Sequence, residues 1–209
     1  MNIKDIIKST RKVKKINRRE HKKGAVYIFA WSFALMLLFN VCFVDTSEGA
    51  RGKKKMDEPF APKEVVQCRL TKIVDGDTVE GLCNGRNLRI RLTGIDAPER
   101  AQKPWGARST SNLRKLLPAK SSFLLVSQGA DVYHRQLGTI YQLTCPHQNN
   151  EKCNVNLQMI TTGYAVAYKG ADTPIAYRRA QENAKKKKIG IWSKPGLQQD
   201  PKKYRQQTR

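Results

Sequence analysis

The sequence is short of acidic side chains: 17 Asp and Glu stand against 40 Lys and Arg in 209 residues, a formal net charge of +23. A surplus of that size excludes a neutral surface and attracts polyanions at long range, so nucleic acid or an anionic membrane leads the list of partners. The competing explanation is that the lysines serve solubility alone. Three further absences narrow the reading. No internal repeat is present, and no acidic loop has the spacing of an EF-hand, so any hard-cation site must be assembled from several loops. Cys145, His147 and Cys153 lack a fourth ligand and zinc-like spacing, which makes zinc the weaker reading of that cluster.

What is present is enough for a folded core. Hydrophobic residues make up 39% of the chain, with three Trp, seven Tyr and six Phe, a composition that argues against wholesale disorder. The length allows one domain of roughly 100–150 residues plus appendages. Residues 1–60 hold 14 basic and 6 acidic side chains, and residues 61–209 hold 26 and 11, so the charge is not confined to a tail.

Residues 1–24 contain ten Lys or Arg, and Ala25 to Val44 is a run of 20 residues without charge. At about 1.5 Å per residue such a helix matches a hydrocarbon core of about 30 Å. The basic flank stays in the cytoplasm and sends the rest of the chain across. The expectation is a single-pass anchor with the following domain outside the cytoplasm. The rival is a cleaved signal peptide that leaves a secreted or periplasmic protein. Beyond Cys42 in the apolar run, four cysteines remain, an even number on the translocated side. Cys68–Cys83 and Cys145–Cys153 are the expected pairs among the three possible pairings. The first pair falls near opposite positions on strands flanking a turn.

Residues 45–64 are polar, contain Gly and Pro, and read as a flexible linker. From Val65 the period changes to two. Val66, Cys68 and Leu70 alternate with polar residues, Thr78 to Cys83 forms a second strand, and Leu88, Ile90 and Leu92 mark a third. Asn84-Gly85 predicts a tight hairpin turn, and the three strands predict an antiparallel meander. A helix is expected from about Gly106 to Pro118, then strands at 123–126 and 137–143. A short helix capped by Asn156 and a last helix over about 174–188 follow. Residues 194–209 read as a basic disordered tail. The fold class is α+β, mainly β, with five short strands closing a small barrel under helical cover.

Asp75-Gly76-Asp77-Thr78 and the later Asp96 and Glu99 place carboxylates in loops, which are hard oxygen ligands for Ca2+ or Mg2+. Taken alone, the first three are an ordinary turn with solvated acids. Hydrolysis of a phosphodiester needs an activated water, a Lewis acid and cations around the developing charge. Glu99 suits the first task, and Arg91 and Arg135 suit bidentate phosphate contact.

Four ordered segments carry a resemblance: Ile73-Val-Asp-Gly-Asp-Thr-Val79, Arg91-Leu-Thr-Gly-Ile-Asp-Ala-Pro-Glu99, Asp131-Val-Tyr-His-Arg135 and Ile189-Gly-Ile-Trp-Ser193. Over about residues 65–193 the chain resembles the staphylococcal nuclease (thermonuclease) family. The resemblance implies an OB-fold barrel and a Ca2+-dependent phosphodiesterase that acts on DNA and RNA and leaves 3′-phosphates. It implies that Asp77, Asp96 and the backbone carbonyl of Ala97 ligate Ca2+, that Glu99 is the general base, and that Arg91 and Arg135 clamp phosphate. Tyr133 and Tyr168 would line the nucleotide pocket, where stacking tolerates any base. Ala97 replaces a Thr of the founding nuclease, His134 a Gly, and Val132 a Lys. The partners expected are DNA, RNA and, through the N-terminal segment, a membrane, with a monomeric chain and no protein partner. A non-catalytic module of the same fold that tethers nucleic acid at the membrane is the rival function, and a basic membrane-surface or cell-wall binder is a third.

Overall fold

Alternation of buried and exposed residues along β1 (Val65–Ile73) and β3 (Arg86–Leu92) turns Val66, Cys68, Leu70, Leu88, Ile90 and Leu92 to one side, as the two-residue period of a strand requires. The computed structural model describes residues 56–143, 150–170 and 173–208, all within one compact unit that begins at Met56. The basic segment, the apolar run at 25–44 and most of the linker lie outside the described residues. Among the described residues no helix is long and apolar enough to cross a membrane.

β2 (Thr78–Cys83) pairs antiparallel with both β1 and β3, so the meander is present. Its second turn is made by Asn84 and Gly85 with φ of 47° and 83°, the left-handed pair that a tight hairpin demands. Cys68 lies opposite Cys83 in the register, and the two are joined by a disulfide. Cys153 is also disulfide-bonded, while Cys145, its expected partner, lies outside the described residues, as does His147.

β4 (Ile95–Asp96) follows, then helix α1 (Trp105–Leu116), β5 (Ser122–Ala130) and β6 (Gln136–Gln142). The barrel closes in the order β1-β2-β3-β6-β5. Closure depends on a parallel contact of β3 with β6 and an antiparallel contact of β1 with β5. This is the five-stranded barrel expected of an OB fold. Leu88, Ile90, Phe123, Leu125 and Ile140 fill it, and Leu113 of α1 packs on the same core.

More helices cover the barrel than the three expected: α2 (Asn150–Cys153), α3 (Val155–Thr161), α4 (Ile175–Lys186) and α5 (Pro201–Gln207) join α1, and β7 (Val166–Ala167) pairs with β4. The N-cap of α3 is Asn154, whose side chain accepts the Leu157 N–H at 3.0 Å, and not Asn156. Asn156 is buried in the first turn of the helix, two residues past the cap. Its amide donates to the Thr93 and Gly138 carbonyls and its Oδ1 accepts the Ile140 N–H. Burial and three backbone partners outweigh a cap that a neighbouring Asn can supply.

Two boundaries differ from expectation. Phe60, inside the expected linker, is buried, donates its N–H to Gln136 Oε1 at 2.7 Å and accepts from Ser127 Oγ at 3.0 Å. The expected disordered tail instead forms a 3-10 turn (Leu197–Gln199) and then α5. Asp200 caps α5 by accepting the Lys203 N–H, and Pro201 follows it at the first helical position, where its missing N–H costs nothing.

Candidate active site

The Asp75–Asp77 turn between β1 and β2 is tied by the Asp77 N–H donating to Asp75 Oδ1 at 3.0 Å. Gly76 lets the turn press onto the start of the barrel's helical cover. A Cβ there would fall on Ser109 Oγ of α1 and 2.7 Å from the Ala97 Cβ. The turn therefore aims Asp77 inward, where it is 7% exposed. Asp77 accepts from Thr78 Oγ1 at 3.2 Å, from the Ala97 N–H at 2.7 Å and from Arg91 Nη1 at 2.6 Å.

Arg91 emerges from the end of β3 and joins two carboxylates, since its Nη2 also reaches Asp96 Oδ1 at 3.2 Å. Asp96 is held in the short β4–β7 pairing and is 4% exposed. Glu99 stands on the irregular segment that follows, with its own N–H donated to Gln102 Oε1 at 2.7 Å. From the far end of the chain, Arg205 of α5 donates to Asp96 Oδ1 and Oδ2 at 3.1 and 2.8 Å and to Glu99 Oε1 at 2.6 Å.

The β5–β6 loop supplies the opposite wall. Asp131 Oδ1 accepts the N–H groups of Tyr133 and Arg135, and its Oδ2 accepts Arg135 Nε, all within 2.9 Å. Slight burial works against the charge of Asp131, but these bonds outweigh it and hold the carboxyl below its ordinary range. The Arg135 guanidinium lies 5.5 Å from the centre of the Tyr133 ring. His134 takes φ 56° in this turn, a conformation that suits the glycine it replaces in the resemblance.

Asp77, Asp96, Ala97, Arg91, Glu99, Tyr133 and Arg135 line a single cavity of about 320 Å³, together with Asp75, Thr78, Pro98 and Arg205. Tyr168 does not reach it. That ring is 54% exposed and lines a separate cleft with Lys169, Lys185, Trp192 and the tail. Arg91 and Arg135 are both engaged in ion pairs, with Asp77 and Asp96 and with Asp131 respectively. Arg205 was missed because residues 194–209 read as a polar tail, although Asp200-Pro201 carries a helix-start signal.

Burial pushes the Asp77 carboxyl up to about 7, and Asp75 and Asp96 push the same way, while Arg91 and the Ala97 N–H oppose them without prevailing. A carboxylate left short of positive charge beside a second buried carboxylate suits a hard divalent cation. Among the described residues no three His, Cys, Asp or Glu side chains cluster as a metal site. The implied donor set needs only two, Asp77 and Asp96, with the Ala97 carbonyl, so the residues present fit the ion.

A family model described as Staphylococcal nuclease homologue matches residues 89–194. The chain is 39% identical over 132 residues to a protein called Uncharacterized endonuclease from Haemophilus influenzae, covering 63% of this chain and 68% of that one. It is 32% identical over 143 residues to a Micrococcal nuclease of Shigella flexneri, covering 67% and 80%. Protein ParB of Escherichia coli is 31% identical over 142 residues, covering 66% of this chain and 78% of its own.

Proposed function

Given that this chain belongs to the staphylococcal nuclease family and is a nuclease, we propose that it is a Ca2+-dependent endonuclease. It hydrolyses DNA and RNA with little sequence specificity and leaves 3′-phosphate ends. The observation that carries this reading is the convergence of Asp77, Asp96, Glu99 and Arg135 on one cavity at the end of the barrel.

Asp77 and Asp96, with the Ala97 carbonyl, hold Ca2+, which when bound supplies Lewis-acid polarisation of the scissile phosphate. Glu99 accepts a proton from the attacking water through Oε2, the oxygen that Arg205 leaves free. The water oxygen adds to phosphorus, the bond from phosphorus to the 5′ oxygen breaks, and the leaving oxygen takes up a proton. Arg91 and Arg135 exchange carboxylate partners for phosphate oxygens and stabilise the charge that builds there. Tyr133 stacks on a base at the exposed rim, and Tyr168 contacts the strand from the neighbouring cleft. No element is built to read base edges, so sequence preference is weak.

The Cys68–Cys83 disulfide supports an oxidising location. The proposed arrangement is residues 1–24 in the cytoplasm, 25–44 as an anchor and the nuclease domain outside. Protease added to intact cells should then remove the domain, and full protection would count against export. For the activity, plasmid DNA is incubated with the protein in Ca2+ or in chelator. Nicking in Ca2+ alone is expected, and binding without cleavage would favour the tethering module.

A further inference from the structure

We propose that Arg205, in the C-terminal segment, is a positioning residue of this active site, holding the general base Glu99 against Asp96. The inference rests on the nuclease reading above. Glu99 sits on an irregular segment with its side chain 38% exposed, and a glutamate so placed has three rotatable bonds to order. Among the described residues, Arg205 is the only side chain hydrogen-bonded to its carboxylate. The same guanidinium engages both oxygens of Asp96, whose side chain is 6% exposed. One planar cation therefore sets the separation of the proposed base and the proposed ligand, a task that suits the fixed fork of arginine.

The tail that delivers Arg205 is fastened. The Gln198 amide donates to the Ile191 and Lys194 carbonyls at 3.3 and 2.6 Å, and the Gln199 amide repeats both contacts at 3.2 and 2.9 Å. Pro201 is buried and Asp200 caps the helix. An element anchored in this way builds part of a site, whereas a displaceable plug would be tied by the plugging residue alone. Charge agrees. Asp75, Asp77, Asp96 and Glu99 face Arg91 and Arg205, because Arg135 is committed to Asp131. The site stays net acidic with Arg205 in place and still attracts a cation.

The test uses the full chain on plasmid DNA in saturating Ca2+. Arg205→Ala should lower kcat about 10- to 100-fold, the scale of a misplaced catalytic group, with KM within about twofold of the unaltered protein. Added guanidinium ion should restore part of the lost kcat, which a purely structural defect would not allow. Gln207→Ala, an exposed neighbour on the same helix, should leave kcat unchanged. Should Arg205→Ala fail to fold, Arg205→Lys carries the test. It keeps the charge but not the fork, and kcat should still fall several-fold. Unchanged kcat in either variant overturns the inference, and a rise would make Arg205 a plug. If the unaltered protein does not cleave at all, the nuclease reading falls. If it cleaves and Arg205→Ala cleaves equally well, only this inference falls.

Discussion

The Ala97 N–H donates to Asp77 Oδ2 at 2.7 Å across a sequence separation of 20. That bond joins two motifs that also meet through the Arg91–Asp77 ion pair and the register of β2 and β3. It also places the Ala97 backbone against a buried carboxylate of the cavity, so the donor atoms proposed for Ca2+ are preset by the fold. Substituting Thr by Ala at position 97 removes a side chain and leaves this backbone contact in place.

Glu99→Gln preserves shape and can still accept from Arg205, but it removes the basic carboxylate. Turnover should fall by roughly a hundredfold to ten-thousandfold, with nucleic-acid affinity little changed because the arginines and the metal ligands remain. Measuring kcat and Kd side by side in saturating Ca2+ checks this. Near-normal turnover would put the base elsewhere.

Asp77 links pH to the stability of the metal-free protein. Its folded pKa, about 7, lies above the ordinary carboxyl value of 3.8. The folded state therefore favours the proton, and the stabilisation from it is lost as pH rises from about 4 through 7. In chelator, stability measured by denaturant at pH 5 and pH 8 should shift in favour of Asp77→Asn at the higher pH, by on the order of 2 kcal/mol relative to the unaltered protein. Saturating Ca2+ should abolish the shift, since a metal ligand must be deprotonated. An equal pH response in the two proteins would contradict the buried, undercompensated carboxylate.

The Cys68–Cys83 bridge closes a loop of sequence separation 15. Replacing both cysteines with Ala should destabilise the domain by about 3 kcal/mol on the loop-entropy scale, seen as a lower Tm in oxidising buffer. Under reducing conditions the gap between the two proteins should close. A gap that persists in reductant would mean that packing of the two buried sulfurs matters more than the cross-link.

Gly76→Ala drives a methyl group into Ser109 and Ala97. Overpacking of this kind should destabilise by roughly 1–3 kcal/mol, and because the turn carries Asp77, Ca2+ affinity should fall with it. Calorimetric titration of Ca2+ together with a thermal melt separates the two effects. Unaltered Ca2+ affinity would show that the turn can shift without moving its carboxylate.

What the amino-acid sequence determined by itself was local. Alternation at Val66, Cys68 and Leu70 and at Leu88, Ile90 and Leu92 defines the strands because a pleated backbone has a period of two. Asn84-Gly85 sets the hairpin of β2 with β3, and the Asp75–Asp77 turn separates the strands on which Cys68 lies opposite Cys83. The motif residues Asp77, Arg91, Asp96, Glu99 and Arg135 were legible as a set, and their convergence on one cavity follows once the barrel is closed. Only the tertiary structure decided the closure itself, through the parallel contact of β3 with β6, because pairing between distant segments leaves no local period to read. It also decided which of two asparagines caps α3, since burial of Asn156 recruits that side chain to three backbone groups elsewhere. The same holds for residues 57–64 and 197–207. Polar composition suggests solvated chain, but a single buried Phe60 and two glutamine amides are enough to fasten each segment. Fastening the second brings Arg205 to carboxylates more than a hundred residues earlier in the chain.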